Sequence, residues 1–507
     1  MAGKTKVLLI NPPFTSYGKP VDIRPSEPLG LMSLASFLRE RDIGVGICDA
    51  SVGRETVPAG NGFFRRGLDE AGIEKNIAEF SPDIVGIASM FTMHSKGAHD
   101  VARIAKKVSK EILVVFGGSH ASALPDTILR DPNADIVVIG EGEETLFEVS
   151  GRLSRGGGLN GIPGTAARRK GRIEINPARP FIKDIDTLPF PARDLVDMDI
   201  YLKDAHRNNF SMASPRVNLV TSRGCPFECV FCSIHSIWRH NWRGFSAGRV
   251  CDEIEYLVKE FSVKEVAFQD DNLTLDKDRM HGICDEILKR RIKIKWCTPN
   301  GTSIWTLDRE LLRKMKKSGC YRLSFGIETG SLKTQEFINK KKMDLGEMDG
   351  IIRYCNDIGI WTNATFIIGF PYETKEDIQA TLDFALGSDL DYGVFFIATP
   401  FPGTRLYDIC SSEKMLVLES GNPQEMKWTG AQETPMCDTK YLKKEELEII
   451  LEDVYRKFYG SRIRKFINPK RILRKLTGMP EIGFFLKLVR MQRAIAPGMN
   501  LRCATHN

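Results

Sequence analysis

The stretch that decides the fold is Thr221-Ser-Arg-Gly-Cys225-Pro-Phe-Glu-Cys229-Val-Phe-Cys232, in which three cysteines are spaced C-x₃-C-x₂-C. It follows a strand predicted at residues 217–221. Barrels of parallel strands build their sites from the loops after the strands, so the three thiols stand where a barrel site belongs. Thiolates hold iron–sulfur clusters and zinc, and the spacing therefore predicts a metal site.

Two kinds of metal site could use these thiols. A structural zinc ion takes four ligands, but Cys251 lies 19 residues beyond Cys232 in a helical pattern, and His235 is out of register for a familiar finger. Three thiolates without a fourth suit a [4Fe–4S] cluster with one open iron, which can bind the amino and carboxylate groups of S-adenosylmethionine (SAM). The spacing favours the cluster. Cysteines without ligand spacing are expected to be small buried hydrophobes, namely Cys284, Cys297, Cys320 and Cys355.

The sequence on either side of the triplet predicts a second α/β series, which we assign to residues 211–405. Strands are predicted at 217–221, 266–269, 292–296, 322–326, 362–368 and 394–398, and helices at 249–260, 276–290, 308–318, 346–358 and 375–387. Six βα units fall short of the eight in a closed barrel. We therefore expect a partial (β/α)6 TIM-like barrel with its site at the carboxyl ends of the strands.

Residues 1–150 predict a separate, doubly wound Rossmann-like α/β domain. Strands are expected at 6–10, 45–49, 84–89, 112–116 and 136–139, with helices at 29–41 and 96–109. Unusual residues follow several strands: Asn11-Pro12-Pro13, Ser89, Gly117-Gly118-Ser119-His120 and Gly140-Glu141-Gly142-Glu143-Glu144-Thr145. Open parallel sheets bind ligands at this edge, although plain tight turns would also use these glycines. Residues 151–210, rich in Gly and Pro, read as a connector.

The charge is uneven along the chain. The formal net charge is +7, and residues 438–507 carry 16 Lys and Arg against 7 Asp and Glu, so the rest of the chain is close to −2. This distribution argues against nucleic acid as a partner. Residues 406–507 read as a basic helical region in which Phe484–Val489 is apolar; it could meet a membrane surface or a lipid-like substrate, or it could pack on the barrel.

Composition bears on the cellular compartment. No apolar run is long enough to span a bilayer, and the apolar stretch at residues 7–10 is too short for the core of a signal peptide. We therefore expect a cytoplasmic protein, with peripheral contact at the inner face of the membrane as the alternative. In a reducing compartment the twelve cysteines should be thiols or metal ligands.

The triplet after a first barrel strand resembles the radical SAM superfamily. Motifs at the later strand ends agree, namely Gln269-Asp270-Asp271-Asn272, Asn300-Gly301, Gly326-Ile-Glu328-Thr-Gly330, Gly369-Phe370-Pro371-Tyr372-Glu373-Thr374 and Pro400-Phe-Pro-Gly403-Thr404. With the strand ends of the first domain, they resemble the subfamily that has an N-terminal cobalamin-binding domain. That subfamily includes carbon and phosphorus methylases and the anaerobic magnesium-protoporphyrin ester cyclase. The resemblance covers about residues 5–410.

The resemblance implies roles for individual residues. Cys225, Cys229 and Cys232 would hold the [4Fe–4S] cluster, and Phe231 would pack beside the SAM adenine. Glu328 would hold the ribose or amino group of SAM, with Asn300 and Gly369 lining the same pocket. Cobalamin would be bound by Asn11, Pro12, Pro13, Ser89, Gly117, Gly118, Ser119, His120, Gly140, Glu141, Gly142, Glu143 and Thr145.

Several of these residues also have ordinary structural explanations. Phe231 could be a core aromatic and Glu328 a surface carboxylate. Asp270 and Asp271 could act in the site or cap the next helix.

The first loop departs from a pattern that many cobalamin proteins share. These proteins supply an axial histidine from D-x-H-x-x-G, whereas residues 11–18 contain no histidine. The stretch Thr92-Met-His94-Ser-Lys-Gly97 has only a superficial similarity to this motif, because it lacks the Asp and follows the third strand. We expect a cobalamin without a histidine on its lower face, or a variant that has lost cobalamin.

The reaction follows from the resemblance. An electron donor such as flavodoxin or ferredoxin reduces the cluster, and SAM then breaks into methionine and a 5′-deoxyadenosyl radical. The radical takes a hydrogen from an unreactive carbon of a small-molecule or lipid-like substrate, and methylcobalamin supplies the methyl group. The alternatives are a cobalamin-containing radical oxidative cyclase or rearrangement enzyme, and a non-catalytic cobalamin or iron–sulfur sensor.

Overall fold

A computed structural model describes residues 4–17, 25–53, 56–204, 211–338, 344–417, 435–466 and 475, with the backbone alone at 203–204 and 463–466. Its strands are β1 Lys6–Asn11, β2 Phe14–Tyr17, β3 Gly44–Asp49, β4 Thr56–Pro58, β5 Phe63–Arg66, β6 Ile84–Ala88, β7 Leu113–Gly117, β8 Ile136–Val138, β9 Thr165–Arg169, β10 Arg172–Ile175, β11 Arg216–Leu219, β12 Ser222–Arg223, β13 Arg243–Gly244, β14 Glu265–Phe268, β15 Lys295–Thr302, β16 Cys320–Glu328, β17 Trp361–Ile368 and β18 Tyr392–Ile397.

Helices connect most of these strands. They are α1 Leu29–Arg39, α2 Glu70–Phe80, α3 Ser95–Val108, α4 Ser119–Ala123, α5 Pro125–Leu129, α6 Glu143–Ser154, α7 Met198–Asp204, α8 His235–Trp238, α9 Ala247–Phe261, α10 Lys277–Lys289, α11 Arg309–Lys317, α12 Leu332–Phe337, α13 Leu345–Asp357, α14 Lys375–Gly387, α15 Arg405–Ser412 and α16 Lys444–Phe466. No helix in the described part of the chain is long and apolar enough to cross a membrane.

The first sheet has the strand order β10-β9-β8-β7-β6-β1-β3. Strands β3, β1, β6, β7 and β8 run parallel, and this arrangement places the topological switch point between β1 and β6. Strand β1 is buried on both faces: Leu8 and Ile10 pack in one apolar cluster, and Val7 and Leu9 in another. Its unbroken apolar run is what a central parallel strand requires.

Residues 151–210, predicted as a connector, contribute two strands to the first sheet. Strand β9 pairs antiparallel with β8, and β10 pairs antiparallel with β9. The end of β9 and all of β10 are partly or fully exposed and rich in arginine, so the hydrophobic pattern that betrays a buried strand is weak there. A small sheet of β2, β5 and β4 was not anticipated either.

The second sheet has the order β11-β14-β15-β16-β17-β18, and all its neighbouring strands are parallel. This is the partial (β/α)6 barrel that the sequence predicts, and the predicted fold class is confirmed. Strand β15 begins at Lys295 and not at residue 292, because Arg291 has a left-handed backbone and the chain turns before entering the sheet. The strand then runs on through Gly301 to Thr302 with an irregular register against β16.

A partial barrel leaves two edge strands, and both are covered. At β11 the carboxylate of Glu27, from the first domain, accepts hydrogen bonds from the backbone N–H (3.0 Å) and side chain (2.6 Å) of Asn218. At β18 the hydroxyl of Tyr455 in α16 donates to the carbonyl oxygen of Phe395 (2.9 Å) and accepts from its N–H (3.2 Å). Unpaired backbone groups at a sheet edge favour association with other chains. These contacts satisfy such groups at both edges of the partial barrel.

The C-terminal region is therefore anchored to the barrel in its described part. The guanidinium of Arg462 is buried and donates to the carbonyls of Ala385, Leu386 and Ser388 at the end of α14. Lys475 is buried against Asp391. The predicted apolar run Phe484–Val489 lies outside the described residues.

We predict that Tyr455→Phe lowers the free energy of unfolding of the barrel by about 1–3 kcal/mol, because it leaves the buried N–H and C=O of Phe395 without partners. The measurement is an anaerobic urea titration of the cluster-loaded protein. Tyr441→Phe is the control: Tyr441 is 51% exposed, and its change should stay within about 0.5 kcal/mol. Equal stability of the two variants would contradict the role of α16 as an edge cover.

Candidate functional site

A cavity of about 510 Å³ lies between the two domains. The first domain lines it with residues that follow strands β1, β7 and β8, and the barrel lines it with the beginning of the cysteine loop and the end of β14. These residues are Asn11, Gly117, Gly118, Ser119, Gly140, Glu141, Gly142, Glu143, Ser222, Arg223, Trp238, Gln269 and Asp271. The carboxyl ends of two parallel sheets thus border one space, as ligand-binding edges of both fold types require.

The cavity has an arm that runs along one face of the first sheet. Leu9, Gly86, Val115 and Val138 line it from the strands, and Gly30, Leu31, Leu34 and Leu146 line it from α1 and α6. No protein atom outside the neighbouring chain lies within 4 Å of a Cβ built at Gly30 or at Gly117, so side chains there would project into open space. A narrow apolar slot next to a glycine-rich edge fits a large flat cofactor with an extended arm.

The three cysteines lie in one loop between β12 and β13, which we call the cysteine loop. The N–H of Cys232 donates to the carbonyl of Cys229 (3.0 Å), which closes a tight turn within the motif. Burial raises the pKa of the Cys232 thiol to about 12, and the nearby thiols of Cys229 and Cys225 add to the increase. Three thiols that disfavour each other's ionisation suit a positively charged iron cluster, which would offset that repulsion.

Among the described residues, no group of three His, Cys, Asp or Glu side chains is arranged to hold a metal ion. Ligands of a [4Fe–4S] cluster bind different irons and therefore stand farther apart than ligands that share one ion. Cys251, the distant zinc candidate, is fully buried within α9.

Asp270 holds the start of the cysteine loop. Its carboxylate accepts hydrogen bonds from the N–H and hydroxyl of Thr221 (3.1 and 2.8 Å) and from the hydroxyl of Ser222 (2.5 Å). Burial raises the pKa of Asp270 against the effect of these donors. Asp276, and not Asp270 or Asp271, caps α10, so the helix-cap alternative is wrong for both.

The next two residues touch the loop itself. The carboxylate of Asp271 accepts from the N–H of Gly224 (3.0 Å), directly before Cys225. The side-chain amide of Asn272 donates to the Cys225 sulfur at 3.7 Å. Hydrogen bonds to cluster sulfurs tune the reduction potential of iron–sulfur centres. The end of β14 therefore positions the cysteine loop, a role that the sequence did not assign to Asn272.

The four residues that the resemblance assigns to SAM share the carboxyl edge of the barrel, but none lines the interdomain cavity. Asn300 is exposed near the end of β15 and donates to the carbonyl of Gln269 (3.0 Å). Glu328 is the last residue of β16, nearly buried, and has a left-handed backbone (φ 69°). Its carboxylate accepts a hydrogen bond from Thr365 at 3.4 Å. The surface-carboxylate alternative for Glu328 is therefore wrong.

The other two residues, Phe231 and Gly369, lie near Phe370, which contacts Phe231 and directly follows Gly369. The ring centroid of Phe231, within the cysteine motif, lies 6.0 Å from that of Phe370. Phe370 belongs to a buried apolar cluster, and the partly buried Phe231 packs against that cluster. Gly369 (φ 82°) turns the chain after β17. Glu373, which the sequence did not single out, accepts from the N–H groups of Gly369 (2.6 Å) and Phe370 (3.2 Å). Burial raises the pKa of Glu373 to about 8.

The predicted cobalamin residues divide into two groups. Eight of them line the cavity, whereas Pro12, Pro13, Ser89, His120 and Thr145 do not. His120 is buried with its Nδ1 atom 3.0 Å from the hydroxyl of Thr92. The hydroxyl of Thr145 accepts from Arg179 (2.9 Å) below the edge.

His94, from the stretch that is similar to a cobalt-ligand motif, does not line the cavity either. Its Nδ1 atom lies 2.9 Å from the carbonyl oxygen of Thr15, and burial lowers its pKa to about 4. The residues of the first loop that reach the cavity include Asn11, whose amide donates to Asp49 (2.8 Å).

Glu141 and Glu143 face the barrel through buried ion pairs. Arg223, two residues before Cys225, donates to Glu141 at 2.5 Å and to Glu143 at 2.6 Å. Burial disfavours the Glu143 carboxylate, but Arg223 more than offsets this and lowers its pKa. Sequence analysis missed Arg223. A charged residue beside a predicted cluster was a signal, but nothing in the sequence identified its partners.

Two family models match the chain, the Radical SAM superfamily over residues 219–385 and the B12 binding domain over residues 25–150. An uncharacterized methyltransferase of Pyrococcus horikoshii is 35% identical over 483 residues, 95% of this chain and 96% of the relative. Cytidylyl-2-hydroxyethylphosphonate methyltransferase of Streptomyces wedmorensis is 32% identical over 437 residues, 80% and 81% of the two chains.

A solved structure shares the fold. The radical SAM methyltransferase TsrM from Kitasatospora setae, with cobalamin and a [4Fe–4S] cluster bound, superposes with a TM-score of 0.69 at 16% identity, covering 92% of each chain. The two domain matches and the near full-length relatives assign the family, which uses a [4Fe–4S] cluster, SAM and cobalamin. The chain therefore belongs to the cobalamin-dependent radical SAM methyltransferases.

Proposed function

We propose that this enzyme methylates an unactivated carbon of a small molecule held in the interdomain cavity. The observation that carries the proposal is that the carboxyl ends of both sheets border the same 510 Å³ space. One domain can thus present cobalamin and the other the cluster with SAM to a single substrate. When bound, these groups supply the radical chemistry and the methyl group, and the protein supplies orientation and exclusion of water.

In this proposal Cys225, Cys229 and Cys232 hold the cluster and leave one iron for SAM. Glu328 contacts the ribose or amino group of SAM, and its left-handed backbone at the end of β16 turns the chain at that edge. The Gly369 turn, fixed by the Glu373 carboxylate, forms another part of the pocket. Strained, buried residues at a strand end are typical of ligand sites.

In the same proposal, the residues at the carboxyl edge of the first sheet would hold cobalamin, and the slot beside Gly30 and Gly86 would hold its nucleotide arm. The slot is apolar and open at Gly30. A nucleotide arm placed in a slot cannot also ligate the cobalt, so the arrangement favours a base-off form. Neither His94 nor His120 lines the cavity, so neither is placed to ligate cobalt.

The reductant and the C-terminal region complete the proposal. A low-potential protein of the flavodoxin or ferredoxin class would supply the electron that radical SAM chemistry needs. The aromatic face of α16 would not take part in contact with a lipid-like substrate or a membrane surface, because Tyr455 and Tyr459 bind the backbone of β18. The basic residues beyond Phe466 would then provide attraction to anionic lipids.

We expect the anaerobic, cofactor-loaded protein to convert deuteromethyl-SAM into two products in the presence of a strong reductant. S-adenosylhomocysteine reports transfer of the methyl group, and 5′-deoxyadenosine with methionine reports reductive cleavage. Both are quantified by mass spectrometry. The triple variant Cys225→Ala, Cys229→Ala, Cys232→Ala should lose the cluster and 5′-deoxyadenosine.

The outcome separates the rival functions. Formation of 5′-deoxyadenosine without S-adenosylhomocysteine would favour the radical cyclase or rearrangement alternative. Formation of neither product would favour a sensor. A triple variant that still cleaved SAM would refute the assignment of the cysteines.

We predict that Gly30→Val weakens cobalamin binding by about tenfold or more, because the new side chain enters the slot, where its Cβ has no protein atom within 4 Å beyond the adjoining chain. Gly350→Val is the matched control, since Gly350 is also a helical glycine with open space around it, but it lies in α13 away from the cavity. Equilibrium dialysis with hydroxocobalamin measures both dissociation constants. Equal affinities would place the nucleotide arm elsewhere.

A further inference from the structure

The cysteine loop has a narrow neck. It leaves the barrel at β12 and returns at β13, and these two strands pair antiparallel, Ser222 with Gly244 and Arg223 with Arg243. All three cysteines of the motif lie between the two strands. Whatever fixes this neck therefore fixes the entrance and the exit of the loop together.

Both arginines of the neck donate hydrogen bonds to carboxylates of the first domain. Glu141 accepts from Arg223 at 2.5 Å and from Arg243 at 3.1 Å, and Glu143 accepts from Arg223 at 2.6 Å. The arginine side chains are 11% and 14% exposed, and both glutamates are 6% exposed. These contacts join the loop after β8 to the loop after β11, across the boundary between the domains.

Further hydrogen bonds hold the two glutamates in place. The N–H of Ile182 donates to Glu141 (2.9 Å), and the hydroxyl of Ser33 in α1 donates to Glu143 (3.2 Å). Arg243 also donates to the carbonyl of Ile182 (2.5 Å). The first domain therefore presents a fixed pair of carboxylates, and the neck docks onto them.

The chemistry of these ion pairs indicates that they position the neck relative to the first domain. Taking charged groups out of water is costly, so buried pairs often add little net stability, and their best-attested use is to specify one geometry among several. A planar guanidinium that bridges two carboxylates sets both a distance and an orientation. The same segment, Gly140–Glu143, lines the cavity on the side of the first sheet.

We propose that Glu141, Glu143, Arg223 and Arg243 form an interdomain latch. The latch sets the position of the cysteine loop relative to the cobalamin site. These four residues are positioning residues, because hydrogen bonds between their carboxylate and guanidinium groups hold the neck against the first domain. The inference rests on the proposed function for its consequence, the separation of cluster and cobalt, but the latch itself acts on the loop with or without cobalamin.

Glu143→Gln tests the latch, because it keeps the size of the side chain and removes the charge that Arg223 contacts. Glu144→Gln is the matched control: the neighbouring carboxylate is half exposed and lies 3.9 Å from Arg179. In the cluster-loaded protein, we expect amides of residues 224–242 to exchange hydrogen about tenfold faster in Glu143→Gln than in the control. This measurement requires no cobalamin.

A second measurement addresses the separation of the two centres. Pulsed electron paramagnetic resonance between Co(II) and the reduced cluster should give one narrow distance distribution in the native protein and in Glu144→Gln, and a broader one in Glu143→Gln. Arg223→Lys, which keeps the charge but cannot bridge two carboxylates, should broaden it as well. A change in stability alone would leave this distribution unchanged.

The outcomes are distinct. Unchanged exchange in 224–242 and an unchanged distance distribution in both variants would overturn the latch. Loss of cobalamin from Glu143→Gln with unchanged exchange in the loop would also overturn it, since Glu143 would then be a cofactor contact. If the native protein bound no cobalamin, the proposed function would fail, while the exchange measurement would still decide the latch.

Discussion

Buried ion pairs between Arg223 and the carboxylates of Glu141 and Glu143 join the two halves of this protein at the point where their chemistry must meet. Parallel sheets bind ligands at the carboxyl ends of their strands. An enzyme that brings two cofactors to one substrate must therefore turn two such edges toward each other. Here the loop after β8 and the loop after β11 do so, and the 510 Å³ cavity is the space between them.

The incomplete barrel explains the remaining architecture. Six strands leave two open edges, and each is covered by a different part of the chain. Glu27 of the first domain satisfies the edge of β11, and Tyr455 and Tyr459 of α16 bind the backbone of β18. The interdomain contact is thus a structural requirement of the barrel as well as a functional one. The contact between α16 and β18 also gives the first part of the basic C-terminal region a role in the fold.

Local pattern was enough to predict most strands and to place the three cysteines in the loop after the first barrel strand. Strand β6 ends within one residue of its prediction because its apolar run is buried on both faces. Strands β9 and β10 escaped detection because they are short and largely polar. The ion pairs of Arg223 join residues about 80 positions apart, and no sequence period connects them. The motif Gly140–Thr145 was correctly placed at a sheet edge, but which of its side chains face the barrel depends on how the domains pack.

The central claim is that the cluster and the cobalt lie on opposite sides of the interdomain cavity. Anomalous diffraction from crystals of the cofactor-loaded protein, recorded at the iron and cobalt absorption edges, tests it most directly. The account predicts iron density at the loop containing Cys225, Cys229 and Cys232, and cobalt density above the ends of β1, β6 and β7, with both sites opening onto the same cavity. Cobalt located outside that cavity, or iron bound away from the three cysteines, would contradict it.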